Sequence, residues 1–469
     1  MVLLQLIIFL IQLIIFLSSS HGRIDFFTVS FSAGLTFFSF IISIIARQRT
    51  YLSKYNLSII LLFFLMSWII SFQIPLEVSL GNLELLNFRF FYNSEVINEM
   101  VAFSALVLDV FLLGVTVNYS RLKKNAALPL ISQDSVSSVT TKYSPKPLFI
   151  LMAVCFLVFL LNINKGYIDS GHGTVKFEGI GFSFLGVFLR LSIIYLSIII
   201  YNNQEKILTR KNSIKSFLKL FDKPYLVFLV IIMVIFFLAH NRVFVILTIT
   251  PFVFAFFLFV RKKISSITVI LIFLGVSVFG TLFKLYGIEN ILSSSLKIND
   301  NYVISKSYFP FTAELGGSVY AQSILYYKWY TTDFSLYGAS YLVGVIRTFP
   351  GLMNVFSLKP ISYDTAVIGT LESGVTYGVG TTSIMDILIN FGFILSLFIF
   401  FGIGYFFSKM ESKVYKNQVN IYTLVIYFSI TSFIMFIPRA SMNDVLGAVL
   451  FNIFFVKIYS LLYLKKIRL

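Results

Sequence analysis

The sequence predicts an all-α protein that crosses a membrane about twelve times. Of its 469 residues, 58% are hydrophobic and 12% are charged, whereas roughly a quarter of an ordinary soluble domain is charged. Apolar runs close to the roughly 20 residues that span a bilayer recur along almost the whole chain. Basic residues concentrate in alternate loops between these runs, which is the pattern of a polytopic membrane protein.

The apolar runs define the elements in order. The predicted spans are residues 2–18, 26–46, 57–74, 99–118, 147–163, 180–201, 224–240, 243–260, 264–286, 384–407, 421–438 and 444–463. The interruption at 287–383 is much longer than a passive connection, so we expect one large loop with helical segments, one of them over about 312–330. The chain thus divides into nine spans over 1–286, the large loop, and three spans over 384–469.

The net charge of +17 has to be placed before any partner is named. On the predicted topology, the segments on one side carry the whole positive excess, which assigns them to the cytoplasm. Those segments are 47–56, 119–146, 202–223, 261–263, 408–420 and 464–469. Both termini are then cytoplasmic and the large loop lies on the opposite side. The charge indicates orientation in a bilayer and gives no reason to expect nucleic-acid binding. Within 119–146, the Ser-, Thr- and Pro-rich stretch at 132–147 predicts a flexible linker.

Motifs for cofactors and metals are missing from the sequence. There is no Gly-rich phosphate-binding loop and no dinucleotide fingerprint. The single cysteine, Cys155, and the three histidines, His21, His172 and His240, are scattered along the chain, which argues against a metal site. We therefore expect chemistry without metal or cofactor, carried by cations and carboxylates at the outer mouth of the bundle.

Arg190 is one such cation, about ten residues into the sixth predicted span. At 1.5 Å per residue it lies roughly 15 Å deep, where an unpaired charge costs at least a few kcal/mol. Two partners are equally compatible with the sequence. One is Asp109, at a similar depth in the fourth span, which would make a structural ion pair. The other is an anionic group of a substrate that reaches down a cavity.

Two further arginines occupy short outer turns, Arg242 between the seventh and eighth spans and Arg439 between the last two. An arginine in such a turn can simply extend its guanidinium to the membrane interface. Alternatively, the two converge with other outer cations in a basic funnel. Guanidinium forks bind phosphate oxygens bidentately, so a pyrophosphate is the expected guest. The other cations of this predicted funnel are Lys284, Arg347 and Lys359.

Three residues are candidates for a general base. Glu314 begins the amphipathic part of the large loop and could accept a proton from a sugar hydroxyl, although a solvated surface role is the alternative. Asp386 and Asn390 are four residues apart and share a helix face, but Asp386 could equally interact with the dipole of its own helix. His240 is a weaker candidate, because a lone histidine at an interface more often only hydrogen-bonds locally.

Two segments carry a resemblance to a known family. They are YGASYLVGVIRTFPGLMNVFSLKP at 337–360 and TTSIMDILINFG at 381–392. They resemble the oligosaccharide repeat-unit polymerases, the Wzy-type O-antigen polymerases, which are GT-C-like membrane glycosyltransferases. Such enzymes similarly have many spans and a late, large periplasmic loop that ends in Pro, Lys-Pro and a carboxylate-x-x-x-Asn-Phe-Gly entry to the next helix. Here that entry runs from Asp386 to Gly392.

The resemblance extends to single positions. Arginines after the seventh span and between the last two are typical of the family and correspond to Arg242 and Arg439, and Glu314 resembles an acidic position early in the large loop. One departure is local: the family often has Gly-Ser-Arg before the first arginine, whereas this chain has Ala239-His240-Asn241-Arg242.

The resemblance implies glycosyl transfer on the periplasmic face of a bacterial inner membrane. The donor would be a glycan on undecaprenyl pyrophosphate and the acceptor a new lipid-linked repeat unit, with a chain-length regulator as a possible membrane partner. Arg242, Arg439 and Arg190 would stabilise the diphosphate leaving group. Glu314 would activate the acceptor hydroxyl, with His240 or Asp386 as the alternatives.

Three other functions remain open at this point. An O-antigen ligase would share the fold and the donor but pass the glycan to a lipid core. A lipid-linked oligosaccharide flippase would also need buried cations, although the long late loop and the lack of symmetry between halves argue against a carrier. A scaffold protein of the same assembly pathway would need none of the arginines for chain extension.

Overall fold

The computed structural model describes residues 1–22, 24–54, 57–87, 96–122, 140–163, 180–204, 213–238, 242–260, 271, 275, 306–348, 363–373, 380–415 and 419–467. Within these ranges the chain is predominantly helical, with a small two-stranded sheet. This agrees with the all-α class that the sequence predicts.

The elements are numbered here in chain order. The helices are α1 (Val2–Ser18), α2 (Phe26–Gln48), α3 (Ile59–Ser79), α4 (Ile97–Arg121), α5 (Lys146–Leu161), α6 (Ile180–Asn202), α7 (Ile214–Leu218), α8 (Lys223–Leu238), α9 (Arg242–Val260), α10 (Pro310–Gly316), α11 (Val319–Thr332), α12 (Ala339–Thr348), α13 (Thr365–Ser373), α14 (Ser383–Val414), α15 (Ile421–Phe433) and α16 (Met442–Tyr463). The strands are β1 (Thr140–Tyr143) and β2 (Leu464–Ile467). Single 3-10 turns cover Tyr51–Lys54, Leu83–Asn87 and Ile437–Arg439.

Eleven of the twelve predicted spans fall on helices of the described chain. The ninth, 264–286, lies outside the described residues apart from Leu271 and Gly275. Among the described helices, six are long and apolar enough to cross a membrane, namely α2, α3, α4, α6, α14 and α16. Helices α1, α5, α8, α9 and α15 are apolar but shorter. The helices therefore fit a membrane protein, whereas the number of spans and the position of the large loop stay predictions.

Helix α4 lies at the centre of the bundle. Its apolar residues cover every side, as expected for an interior helix, and it is almost entirely buried. Helices α14, α2 and α1 pack along it. Its closest neighbour is α14, where Gly114 of α4 and Gly404 of α14 bring the two backbones together: a Cβ on Gly404 would overlap the Phe111 carbonyl oxygen, and one on Gly114 that of Phe401.

A buried ion pair ties the helices together at one end of the bundle, here called the basic end. Arg47, at the end of α2, donates through Nε and Nη2 to Oε1 of Glu411 in α14, at 2.9 and 2.7 Å. The Ser58 and Tyr119 hydroxyls donate to Oε2 at 2.8 and 3.3 Å. Both carboxylate oxygens are therefore satisfied, which a buried charge requires.

Breaking this pair should destabilise the bundle strongly. Glu411→Gln leaves the Arg47 guanidinium buried without its counter-ion, so we expect a loss of about 3–5 kcal/mol in the free energy of unfolding. The matched control is Glu84→Gln, which breaks the exposed pair with Lys306 and should cost no more than about 1 kcal/mol. Thermal unfolding in detergent distinguishes the two. Equal small shifts for both variants would contradict a structural role for the buried pair.

Other contacts at the basic end join segments that the charge pattern places on one side. β1 pairs antiparallel with β2, with Thr140 opposite Ile467. The Gln204 side chain exchanges two hydrogen bonds with the Val419 backbone, at 2.7 and 3.0 Å. The stretch at 132–147 was predicted to be a flexible linker, and for 140–143 this is wrong, because the chain terminus supplies a partner strand that the local composition does not reveal.

The helices of the large loop pack on the opposite end, here called the loop end. The predicted helix at about 312–330 is in fact two helices, α10 and α11, with a break at Gly317 and Ser318. α10 packs on α3, and α11 contacts α3, α4, α13 and α14.

Glu77, buried near the end of α3, holds the start of this region. It accepts from the Ser307 hydroxyl and the Tyr308 backbone N–H, both at 2.6 Å, so a carboxylate fixes where the loop meets the bundle.

Candidate functional site

Asp386 connects the loop helices to the last helices of the bundle. It lies in the first turn of α14, whose N-cap Thr382 accepts from the Met385 N–H, and it is fully buried. Four donors surround its carboxylate at 2.7–3.1 Å: the hydroxyls of Thr365, Tyr341 and Ser441, and the Met442 N–H. One side chain thereby joins α12, α13 and the turn before α16. Because these donors occupy the carboxylate, the geometry favours a positioning role over that of a free base.

Tyr341 of α12 is one of these donors and stays protonated. Burial, together with the neighbouring Asp386 charge, raises the pKa of the Tyr341 hydroxyl well above its usual value. The contact is therefore an O–H donating to a carboxylate at 2.8 Å, the stronger, charge-assisted kind of hydrogen bond.

The rest of the Asp386-to-Gly392 motif also has a structural reason. Asn390 shares the helix face of Asp386, as predicted: its amide donates to the Asp386 carbonyl at 2.7 Å and its oxygen accepts from Ser340 of α12. Gly392 has φ +72°, a backbone conformation that glycine adopts at little energetic cost and other residues do not. The helix α14 is kinked at this residue. The Leu336 N–H and the Ser335 hydroxyl both donate to the Ile389 carbonyl, at 2.9 and 3.0 Å.

Helix α12 lies flat against α16 through two glycines. A Cβ on Gly344 would come within 2.9 Å of the Asn443 side-chain oxygen, and one on Gly447 within 2.9 Å of the Thr348 hydroxyl. Small residues at these positions allow the two helices to approach closely. This contact places Arg347, the penultimate residue of α12, beside the first two turns of α16.

A stripe on α16 faces two arginines from other helices. Asp444, Gly447 and Phe451 share one side of the helix at i, i+3 and i+7 spacing. Arg190 of α6 places its guanidinium carbon 5.0 Å from the centre of the Phe451 ring. Among the described residues, the charged groups that act on Asp444 are Asp364, Arg347, Asp386 and Arg190. Charges from α6, α12 and α16, and from Asp364 just before α13, thus lie near one another.

This place, here called the charged recess, is defined by Arg190, Arg347, Asp364 and Asp444. Arg347 and Asp444 are exposed, and Arg190 and Asp364 are partly exposed. Within the described chain, neither arginine forms a hydrogen bond or a direct ion pair within 4.0 Å, and the Asp444 side chain accepts no hydrogen bond. These charges therefore influence one another without direct contact.

Of the two partners that the sequence allows for Arg190, the structure does not show Asp109. Asp109 makes no hydrogen bond within the described chain, and its nearest polar influence is Ser39 of α2. The charges that act on Arg190 are Asp444 and Arg347. The two residues have similar depth but belong to different neighbourhoods, since α4 is enclosed by α1, α2 and α14 whereas α6 packs on α5, α15 and α16.

Two other predicted residues lie at the loop end on other elements. Glu314 is partly buried on α10, which packs on α3. Arg439 ends the 3-10 turn between α15 and α16, as predicted, and that turn contacts α3 and α14. Both residues have interaction partners. Ser441, which donates a hydrogen bond to Asp386, is two residues after Arg439. Arg439 is therefore close in sequence to the hydrogen-bond network around Asp386.

The remaining predicted residues are not described in side-chain detail. Arg242 is the first residue of α9, but its side chain, like His240, Lys284 and Lys359, lies outside the described residues. The convergence of Arg242 with Arg439 therefore stays a prediction.

The sequence reasoning missed Asp444 and Asp364. Asp444 stands five residues after Arg439 in IPRASMND and is the first residue of the last predicted span; an acid so close to an arginine in an outer turn is a signal that could have identified it. Asp364 accepts from the Ala366 N–H at 2.9 Å at the start of α13, and no sequence signal linked it to α16.

The chemistry available in the charged recess is of two kinds. The guanidinium groups can bind an anion such as a phosphate in a fork. The carboxylates can accept hydrogen bonds from hydroxyls, and an unoccupied carboxylate such as Asp444 can accept a proton. A mixed set suits a guest that has both a phosphate and hydroxyls better than a bare anion. In the described chain, no cluster of three or more potential metal ligands of the His, Cys, Asp or Glu type occurs.

Comparisons with protein-family models, curated proteins and solved structures find no match for this chain.

Proposed function

We propose that this chain is a Wzy-type surface-polysaccharide polymerase of a bacterial inner membrane. It would transfer a growing glycan from undecaprenyl pyrophosphate to a new lipid-linked repeat unit. The observation that carries the proposal is the charged recess, where two arginines and an open carboxylate from three helices meet at the end of the bundle covered by the large loop. The charge pattern of the sequence supports a periplasmic location for that end.

The proposed roles follow from the charges. Arg190 and Arg347 hold the diphosphate of the donor and stabilise the charge that develops as the bond to the sugar breaks. Asp444 takes the proton from the acceptor hydroxyl, so it replaces Glu314, His240 and Asp386 as our first choice of base. A lipid diphosphate is already a good leaving group, which is why cations suffice and neither a metal nor a nucleotide enters the proposal.

Asp386 has a different task in this proposal. It holds α12, the start of α13 and the start of α16 in register. Arg347 lies on α12, Asp364 directly precedes α13, and Asp444 lies in the first turn of α16. Its hydrogen bonds to Tyr341, Thr365 and Ser441 make it a positioning residue for the recess.

The two aspartates should therefore fail in different ways. Asp444→Asn should lower chain extension by about 100-fold or more, within the usual contribution of a general base, while leaving thermal stability unchanged. In Asp386→Asn, one carboxylate oxygen becomes an amide NH2 group, which would face the hydroxyl and N–H donors that now bind Asp386. The free energy of unfolding should therefore fall by about 2 kcal/mol or more. Extension assays and thermal unfolding measured on the same preparations test this. An active Asp444→Asn variant would remove Asp444 from the mechanism.

The proposal itself is tested by incubating the detergent-solubilised protein with purified lipid-linked repeat units. A ladder of products that differ by one repeat supports a polymerase. No ladder under conditions in which a control polymerase is active overturns it. Transfer of a preformed lipid-linked glycan to a lipid-core acceptor, without chain growth, would instead identify a ligase. Movement of the lipid-linked unit across vesicles without any new glycosidic bond would identify a flippase.

A further inference from the structure

A buried polar seam runs between α1, α2 and α4, which are not the helices that carry the charged recess. The Gln5 side-chain amide donates to the Ser39 carbonyl at 2.7 Å and to the Ser43 and Thr116 hydroxyls at 3.1 and 3.4 Å. Two turns further along α1, Gln12 donates to the Ser32 hydroxyl. All of these side chains are buried.

Asp109 lies within this seam, midway along α4. It is the thirteenth of 25 residues in that helix, so it is about 18 Å from either end. Its side chain is fully buried, and neither carboxylate oxygen has a hydrogen-bond partner in the described chain. The helices packed on α4 are α1, α2, α3, α11 and α14, and from their described residues no cation and no second acid acts on Asp109, only the Ser39 hydroxyl.

The single hydroxyl proton of Ser39 determines whether this residue can donate a hydrogen bond to Asp109. Its hydroxyl has one hydrogen, which it donates to the Gln5 side-chain oxygen at 2.5 Å. The Ser39 oxygen can then only accept from Asp109. An ionised Asp109 has nothing to donate and would face an acceptor, whereas a protonated Asp109 can donate to Ser39.

We propose that Asp109 is a binding site for one monovalent cation, a proton, held in the seam between α1, α2 and α4. A sodium ion is the other monovalent cation that could neutralise the Asp109 carboxylate. Hard cations require a shell of several oxygen ligands, and in this seam the oxygens of Gln5, Ser39 and Ser43 are already engaged with one another. An ionised carboxylate with no compensating charge at this depth would cost far more than the neutral acid.

The test is infrared difference spectroscopy of the full-length protein in detergent, comparing wild type with Asp109→Asn. The difference spectrum should contain the carbonyl band of a protonated carboxylic acid and no carboxylate band. That band should persist from about pH 5 to about pH 8, a range over which exposed carboxylates are ionised, and in sodium as well as potassium buffer. Because a neutral amide replaces a neutral acid, Asp109→Asn should also leave the thermal unfolding transition of the protein essentially unshifted.

Asp25→Asn is the matched control. Asp25 caps α2, and hydrogen bonds from the Thr28 hydroxyl and backbone N–H lower the pKa of its carboxyl. Its substitution should therefore remove carboxylate bands and no protonated-acid band.

Two results would overturn the proposal: loss of a carboxylate band in Asp109→Asn at all pH values, or an Asp109 band that converts between acid and carboxylate when sodium is exchanged for potassium. The second result would assign the site to sodium. Neither readout depends on glycan transfer, so this proposal and the proposed polymerase activity fail separately.

Discussion

Replacing Arg347 or Arg190 with Gln is expected to lower the rate of chain extension by about 10- to 150-fold for each residue while the protein stays folded. A hydrogen bond to a charged group contributes about 1.5–3 kcal/mol, and each 1.4 kcal/mol is a factor of ten in rate. The loss should appear in kcat/KM for the lipid-diphosphate donor, because the charge on the leaving group is greatest in the transition state.

The fold should survive these changes because the structure does not depend on either side chain. Neither arginine makes a hydrogen bond or direct ion pair within the described chain, and Arg190 loses only its contact with the Phe451 ring. Such contacts contribute about 0.5–2 kcal/mol. Arg347→Lys should give an intermediate rate, since lysine keeps the charge but loses the planar fork.

Arg121→Gln is the control for both variants. Arg121 also stacks on an aromatic ring, that of Tyr405, at 5.7 Å, but it is exposed at the end of α4 that belongs to the basic end. Its substitution should change neither extension nor stability measurably. If Arg190→Gln and Arg347→Gln extend glycans at the wild-type rate, or if their activity falls only in proportion to folded protein, the charged recess does not bind the diphosphate.

The second large effect is expected from Gly404→Ala. The added methyl group would overlap the backbone carbonyl of Phe111, and a backbone atom cannot move away by changing its rotamer. Helices α4 and α14 would have to separate along the most extensive interface of the bundle. Overpacking typically costs about 1–3 kcal/mol, and we expect about 3 kcal/mol or more here, measured by thermal unfolding and by the yield of monodisperse protein.

Gly402→Ala provides a control one half-turn away on the same helix. A Cβ at Gly402 meets no atom within 4 Å, and alanine is favoured over glycine in a helix by about 1 kcal/mol. This variant should be as stable as the wild type or slightly more stable. Equal stability of the Gly402 and Gly404 variants would show that α4 and α14 do not approach each other as described.

The comparison of sequence and structure is clearest at the Asp386 motif. The spacing to Asn390 predicts a shared helix face, and the structure has it. The sequence offers two interpretations for Asp386, a base or a partner of its own helix, and neither anticipates donors from Tyr341, Thr365 and Ser441. These residues are 21 to 55 positions away in the chain, so no local pattern relates them.

Arg190 also shows that the sequence locates a residue along its helix but does not identify its neighbours on other helices. Its depth follows from counting residues along a helix, and the sequence correctly identifies a cation that needs an explanation. Its neighbours depend on which helices pack together, and the hydrophobic pattern of a single helix does not specify its packing partners. Equal depth made Asp109 one of two possible partners, but it could not tell which helices pack against each other.

What the sequence determined by itself is the predominantly helical, strongly apolar character of the chain and the positions of eleven helices within the described residues, while the sidedness that the charge pattern indicates stays a prediction. Apolar length and charge are properties of single segments, so they are readable without a partner. The tertiary structure decided which charged side chains influence one another, namely Arg190 and Arg347 with Asp444, and that the Asp109 carboxylate has no hydrogen-bond partner in the described chain. Those outcomes depend on close approach between helices distant in sequence, and a one-dimensional pattern does not contain that information.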